Sequence, residues 1–212
     1  MNSNDTPNPD ESPTEYAERM RALKEEQDRK VHERRTKRGV VIVNTGDGKG
    51  KSTAGFGTAI RAAGHGQRVA LFQFIKGEWK TGEREAFKRF PEIDYFQSGN
   101  GFTWNTQDRD KDVASARAGW AQVLAAIDEC RGPSPKYQLL VLDELNVVRH
   151  FNFLPAEEVA SALRNKPEAL SVVVTGRDAP AEIIELADTV TEMRPIKHAF
   201  DAGIQAIKGI EF

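Results

Sequence analysis

Residues 40–53 read VVIVNTGDGKGKST, and the fold follows from how this stretch is read. An apolar run, Val40-Val41-Ile42-Val43, feeds a glycine-rich turn. A small-residue segment that reads as a helix follows, with Lys51-Ser52 at its start. Strand, glycine turn, helix is the context that makes a phosphate-binding loop credible. Glycines let the backbone curl so that successive N–H groups face an anion, and the helix N-terminus adds partial positive charge. Gly46, Asp47, Gly48, Lys49 and Gly50 make the turn, and Lys51 brings a full positive charge to the phosphates. The hydroxyl of Ser52, with Thr53 after it, suits Mg²⁺. The usual pattern is Gly, four residues, then Gly-Lys-Ser/Thr. Here the first of those positions is Thr45 and the first glycine is Gly46, so the loop is one residue short. Lys49 reads either as a second phosphate contact or as a solvated turn residue.

Working outward, strands are expected at 39–45, 68–75, 93–96, 138–142, 170–174 and 189–193. Helices are expected at 51–63, 83–90, 108–130, 155–165 and 180–187. The strands are continuous apolar runs without alternation, the mark of burial on both faces. The expected fold is therefore α/β: a P-loop NTPase-like, mostly parallel sheet with helices on both faces, plus an N-terminal helical arm. Gly55 and Gly57 inside the first of these helices imply close packing on the sheet. Arg61, in that helix's last turns, could reach a ligand or complement the helix dipole. The strand at 138–142 ends in Asp143-Glu144, the acidic partner that a phosphate loop needs for its metal; spacing does not say which of the two touches it. Residues 99–106, GNGFTWNT, put Phe102 and Trp104 behind two glycines. They read either as core filling or as a flat wall for a large planar ligand.

The first 14 residues are polar, acidic and proline-containing, which predicts a disordered tail over 1–14. Residues 15–38 are dense in Glu, Gln, Lys and Arg with a thin apolar stripe, which predicts a basic helical arm of little burial. It reads either as a solvated helix or as an arm folding over an anionic ligand or a neighbouring subunit. Residues 39–212 make the phosphate-loop domain. With 212 residues and a net charge of −2 there is no global case for nucleic-acid binding. No run of about 18 apolar residues suggests a membrane span. The N-terminus lacks an apolar segment of the secretory kind. One cysteine, Cys130, excludes an intramolecular disulfide and fits a cytoplasmic address; it reads as a helix-end residue. His198 in the C-terminal tail reads as structural.

Taken together, TGDGKGKSTAGFGTAIRAAGHG, FIKGEW, GFTWNTQ, VLDEL, TGR and RPIKHAFDAG resemble the ATP:corrinoid adenosyltransferases of the CobA/BtuR type. The resemblance runs from about residue 15 to the C-terminus, and the family's loop has the same shortened form. It implies transfer of the 5′-deoxyadenosyl group of ATP to the Co(I) centre of a reduced corrinoid, cobalamin or cobyrinic acid a,c-diamide. Tripolyphosphate would leave, in adenosylcobalamin biosynthesis and corrinoid salvage. It implies ATP binding by Gly46, Asp47, Gly48, Lys49, Gly50, Lys51, Ser52, Thr53 and Arg61, with Mg²⁺ or Mn²⁺ held by Ser52 and by Asp143 or Glu144. Lys51, Phe102 and Trp104 become the catalytic set, and Phe102 and Trp104 face the corrinoid, where they displace the lower axial ligand of cobalt. The implied partners are a second copy of the chain and an electron-donor flavoprotein reductase. Two other readings compete: a kinase or ATPase acting at phosphorus, and a non-catalytic corrinoid carrier or nucleotide sensor. GFTWNTQ has no role in the kinase or ATPase reading.

Overall fold

The computed structural model describes residues 11–74, 81–97 and 108–211, with backbone alone at 148 and 149. Phe102 and Trp104 lie outside the described residues, as do the loop residues 76–80.

The chain divides into two units, residues 1–37 and 38–212. The first contains helix α1, Pro13–Glu33. It begins before the expected boundary at 15 because Ser12 forms a capping box. The Glu15 N–H donates to the Ser12 hydroxyl at 3.3 Å, and the Ser12 N–H donates to the Glu15 carboxylate at 2.9 Å. It ends at Glu33 rather than near 38, where the Arg34 guanidinium takes the Lys30 carbonyl at 2.6 Å. None of its residues is buried, as the thin apolar stripe implied.

The second unit is a parallel sheet wrapped by helices. In order it runs β1 Val41–Thr45, α2 Lys51–Gly64, β2 Val69–Gln73, α3 Gly82–Phe87, β3 Ile93–Gln97, α4 Arg109–Asp128 and β4 Leu139–Asp143. It continues with α5 Leu145–His150, α6 Ala156–Arg164, β5 Ser171–Thr175, α7 Ala181–Leu186 and β6 Thr189–Glu192. A short 3₁₀ turn, Phe200–Ala202, lies in the tail. The strand order is β3-β2-β4-β5-β1-β6, and every pairing is parallel. All the strands therefore end at one rim.

Two hydrophobic clusters account for the uninterrupted apolar runs. Leu140, Leu142, Val172 and Val174 face one way, onto Trp120 and Val123 of α4, Leu163 of α6 and Ile183 of α7. Their neighbours Leu139, Val141 and Val173 face the other way, onto Phe56 and Ala59 of α2. Gly55 has the close packing expected of it: an added Cβ would lie 3.2 Å from Thr175 Cγ2 and 3.3 Å from Val141 Cγ1. Gly57 does not, for it faces open space. Helix α5, between β4 and α6, was not expected from the sequence.

Cys130 is buried just past α4, where burial pushes its thiol up. In the tail, His198 Nδ1 accepts the Phe200 N–H at 3.1 Å.

Candidate active site

The phosphate loop joins the carboxyl end of β1 to α2. It is buttressed from the next strand: the Met193 N–H donates to the Thr45 carbonyl at 2.8 Å, and the Gly48 N–H donates to the Met193 carbonyl at 2.7 Å. This contact explains two of the glycines. Gly46 has φ 90° and its absent Cβ would lie 2.5 Å from the Met193 oxygen; that of Gly48 would lie 2.7 Å from the Met193 carbonyl carbon. A side chain at either position would push the loop off β6.

Lys51 opens α2 and is buried, 8% exposed. Its ammonium donates back to the Gly48 carbonyl at 2.6 Å. Burial pulls its pKa below the ordinary lysine value, and the Glu144 carboxylate opposes that shift. Arg177, Asp47 and Lys49 are the other charges Lys51 feels. Arg177 arrives from the turn after β5 and stands 3.8 Å from Asp47. Lys49 pairs with Glu211 of the C-terminal tail. Ser52 is half-buried in the first turn of α2, and Thr53 is exposed. Arg61 stands at the last turn, roughly 15 Å along the helix from Lys51 at 1.5 Å per residue.

The two acids at the end of β4 have different surroundings. Asp143 is fully buried, and both oxygens are engaged: Oδ2 accepts Gln73 Nε2 at 2.8 Å, and Oδ1 accepts the Thr175 hydroxyl at 2.7 Å. Gln73 is held in turn by the Tyr95 phenol at 2.6 Å, whose pKa burial pushes up to about 12. Glu144 is half-buried, has φ 61°, and its N–H donates to the Thr175 hydroxyl at 3.0 Å. The strained backbone turns Glu144 out of the strand line, on the side where its charge acts on Lys51. Among the described residues no group of three His, Cys, Asp or Glu side chains could hold a metal by itself. A cation here would need a nucleotide's phosphates as further ligands.

Sequence reasoning named the loop and the acidic pair. It missed Gln73 and Tyr95, and it noted Thr175 and Arg177 only as part of TGR. The signal for Arg177 and Thr175 was available, since both stand at a strand's carboxyl end. Nothing local marked Met193.

A parallel α/β sheet with a glycine loop, a buried lysine and an acidic strand end defines a nucleotide-binding protein of the P-loop type. The profile of the family described as "ATP:corrinoid adenosyltransferase BtuR/CobO/CobP" matches residues 37–212. The chain is 46% identical over 213 residues to a "Corrinoid adenosyltransferase" of Pseudomonas aeruginosa, covering 99% of this chain and 100% of that one. It is 43% identical over 197 residues to a protein of the same name from Escherichia coli K12, covering 93% of this chain and 97% of the other. A solved structure, "EssC (ATPases 2 and 3) from Geobacillus thermodenitrificans (SeMet)", is similar at TM-score 0.43 and 14% identity, over 82% of this chain and 36% of that one. The chain belongs to the ATP:corrinoid adenosyltransferase family and is an enzyme.

Proposed function

We propose that this enzyme transfers the 5′-deoxyadenosyl group of ATP to the Co(I) centre of cobalamin or cobyrinic acid a,c-diamide and releases tripolyphosphate. The observation that carries the proposal is the set of charges around Lys51. Loop, lysine and Arg177 make a cradle for a polyanion at the rim where β1, β4 and β5 end. In the reaction the cobalt electron pair forms a bond to C5′ and the C5′–O bond breaks. The tripolyphosphate leaves with the electron pair of the broken C5′–O bond, and cobalt ends as Co(III). The cobalt of the substrate is the nucleophile, so the protein need not supply one.

The protein's part is binding and electrostatics. Lys51 exchanges the Gly48 carbonyl for phosphate oxygens and stabilises charge as it builds on the leaving group. The exposed Arg177 guanidinium adds a second cation. Ser52 and Glu144 are the residues that would hold Mg²⁺ or Mn²⁺, because Asp143 spends both oxygens inside the protein. That ion would neutralise charge on the tripolyphosphate. Phe102 and Trp104 serve as the apolar wall that strips the lower ligand from the corrinoid cobalt. A second copy of the chain and a flavoprotein reductase complete the proposal as partners, in the cytoplasm. No helix among the described residues is long and apolar enough to cross a membrane.

Product analysis tests the proposal. Protein, ATP, Mg²⁺ and chemically reduced corrinoid should yield a light-sensitive carbon–cobalt product and tripolyphosphate in equal amounts. ADP or orthophosphate in their place would show attack at phosphorus and sink it.

A further inference from the structure

The Thr175 hydroxyl is the point at which β4 and β5 meet at the rim. It donates to Asp143 Oδ1 at 2.7 Å and accepts the Glu144 N–H at 3.0 Å. A hydroxyl can do both at once, and a methyl group of the same size can do neither. Thr175 is fully buried, and its methyl lies over Gly55 of α2, where an added Cβ would sit 3.2 Å away. A second tie runs alongside: Asn146 of α5, also fully buried, donates its amide to the Gly176 carbonyl at 3.1 Å. The turn that carries Glu144 is thereby stitched to the turn that carries Arg177. Glu144 holds φ 61°, a conformation that is costly for a non-glycine residue unless its surroundings fix it.

We propose that Thr175 is a positioning residue for the adenosyl-transfer site: its hydroxyl locks the Glu144 backbone so that the carboxylate is aimed at the cation that accompanies ATP. This rests on the assignment of Glu144, rather than Asp143, to the metal. Thr175 does not touch substrate and acts through Glu144. A serine can replace it, since only the hydroxyl is used. The geometry also divides the labour of the acidic pair. Asp143 is the inward anchor that orients Thr175, and Glu144 is the outward ligand.

The test is calorimetric titration of ATP into the full chain, with saturating Mg²⁺ and with EDTA, for Thr175→Val, Thr175→Ser, Glu144→Gln and the double variant T175V/E144Q. Thr175→Val should lose roughly 10- to 100-fold of the affinity gained from Mg²⁺, the usual effect of removing a group that orients a metal ligand. Its metal-free ATP affinity should stay within about twofold, and Thr175→Ser should keep most of the gain. Glu144→Gln should lose the gain as well, and the double variant no more than Glu144→Gln alone, because both changes act on one group. Equal loss in EDTA, or a serine variant as poor as valine, would make Thr175 a mere packing residue and overturn the proposal. Additive losses in the double variant would overturn it too. A Glu144→Gln protein that keeps the full Mg²⁺ gain would refute the Glu144 assignment, whatever Thr175→Val does. If valine prevents folding, Thr175→Ala, which cannot overpack against Gly55, is read by the same criteria.

Discussion

Both ends of the central strands are held by charged groups, and the two ends differ in how those charges are satisfied. At the amino end, Asp188 binds the Arg38 guanidinium through both oxygens and accepts the Val41 N–H at 2.8 Å, which fastens the entry of β1. Lys166 reaches the Gly39 carbonyl beside it. The Asp188 carboxylate there has its opposite charge in Arg38, and water has access to the guanidinium, 44% exposed. At the carboxyl end the ammonium of Lys51 is buried and rests on a carbonyl. A buried cation whose hydrogen-bond partner is neutral is costly to keep. One end spends its charges on closing the fold, and the other keeps them in readiness for an anion.

Breaking the carboxyl end should therefore cost activity and leave stability alone. Lys51→Ala is expected to lower kcat by about 10²- to 10³-fold, on the scale of removing a donor aimed at developing charge. Its melting temperature should stay at or slightly above that of the parent, because a desolvated cation has been removed. Steady-state rates and a thermal melt on the same preparation check both halves. A Lys51→Ala protein of near-normal rate would contradict the contrast between the two ends.

Breaking the amino end should do the opposite. Asp188→Ala removes a charge-assisted pair and a backbone acceptor, which is worth about 1–2 kcal/mol once solvent screening of the exposed guanidinium is allowed for. The melting temperature should fall by roughly 2–8 °C, at about 2–4 °C per kcal/mol for a chain of this size. Rates with saturating substrate should not change. The pH dependence follows from the Arg38 guanidinium, which with the Val41 N–H holds the Asp188 carboxyl at about 2, well below the ordinary value. Its folded-state pKa is depressed, so the stabilisation is complete above the unfolded value near 4 and is lost as pH falls through about 2. Melts of the parent and of Asp188→Ala should accordingly converge as pH drops across that window. Curves that stay parallel would deny the ion pair its role.

The contrast between the ends also marks what the sequence could tell. The strands are legible because Leu139 to Leu142 and Val172 to Val174 are apolar without interruption, and a run covered on both faces has no other way to look. The phosphate loop is legible because its chemistry is local, ten residues from Asn44 to Thr53. What stayed hidden depends on partners far along the chain. Gly55 and Gly57 look alike in sequence, yet only Gly55 meets Thr175 and Val141. Asp143 and Glu144 are adjacent and chemically alike; the contacts of Gln73 and Thr175, some 70 and 32 residues away, separate them. Met193 supports the loop through backbone groups, which no side-chain pattern records. The early start of α1 at Pro13 was local, and the spacing of Ser12 and Glu15 carried the signal.

The smallest effect is expected where the carboxyl end borrows the habit of the amino end. Lys49, in the phosphate loop, is paired with Glu211 of the tail, so one loop cation is already neutralised before any phosphate arrives. Lys49 is half in water, and pairs of this kind are worth at most about 1 kcal/mol. Glu211→Gln should then tighten ATP binding by about two- to fivefold at low salt. The difference should shrink as ionic strength rises and screens both contests. Calorimetry at two salt concentrations reads the effect directly. Weaker binding by Glu211→Gln would mean that the tail builds the cradle instead of competing for it, and that Lys49 is held ready in the same sense as Lys51.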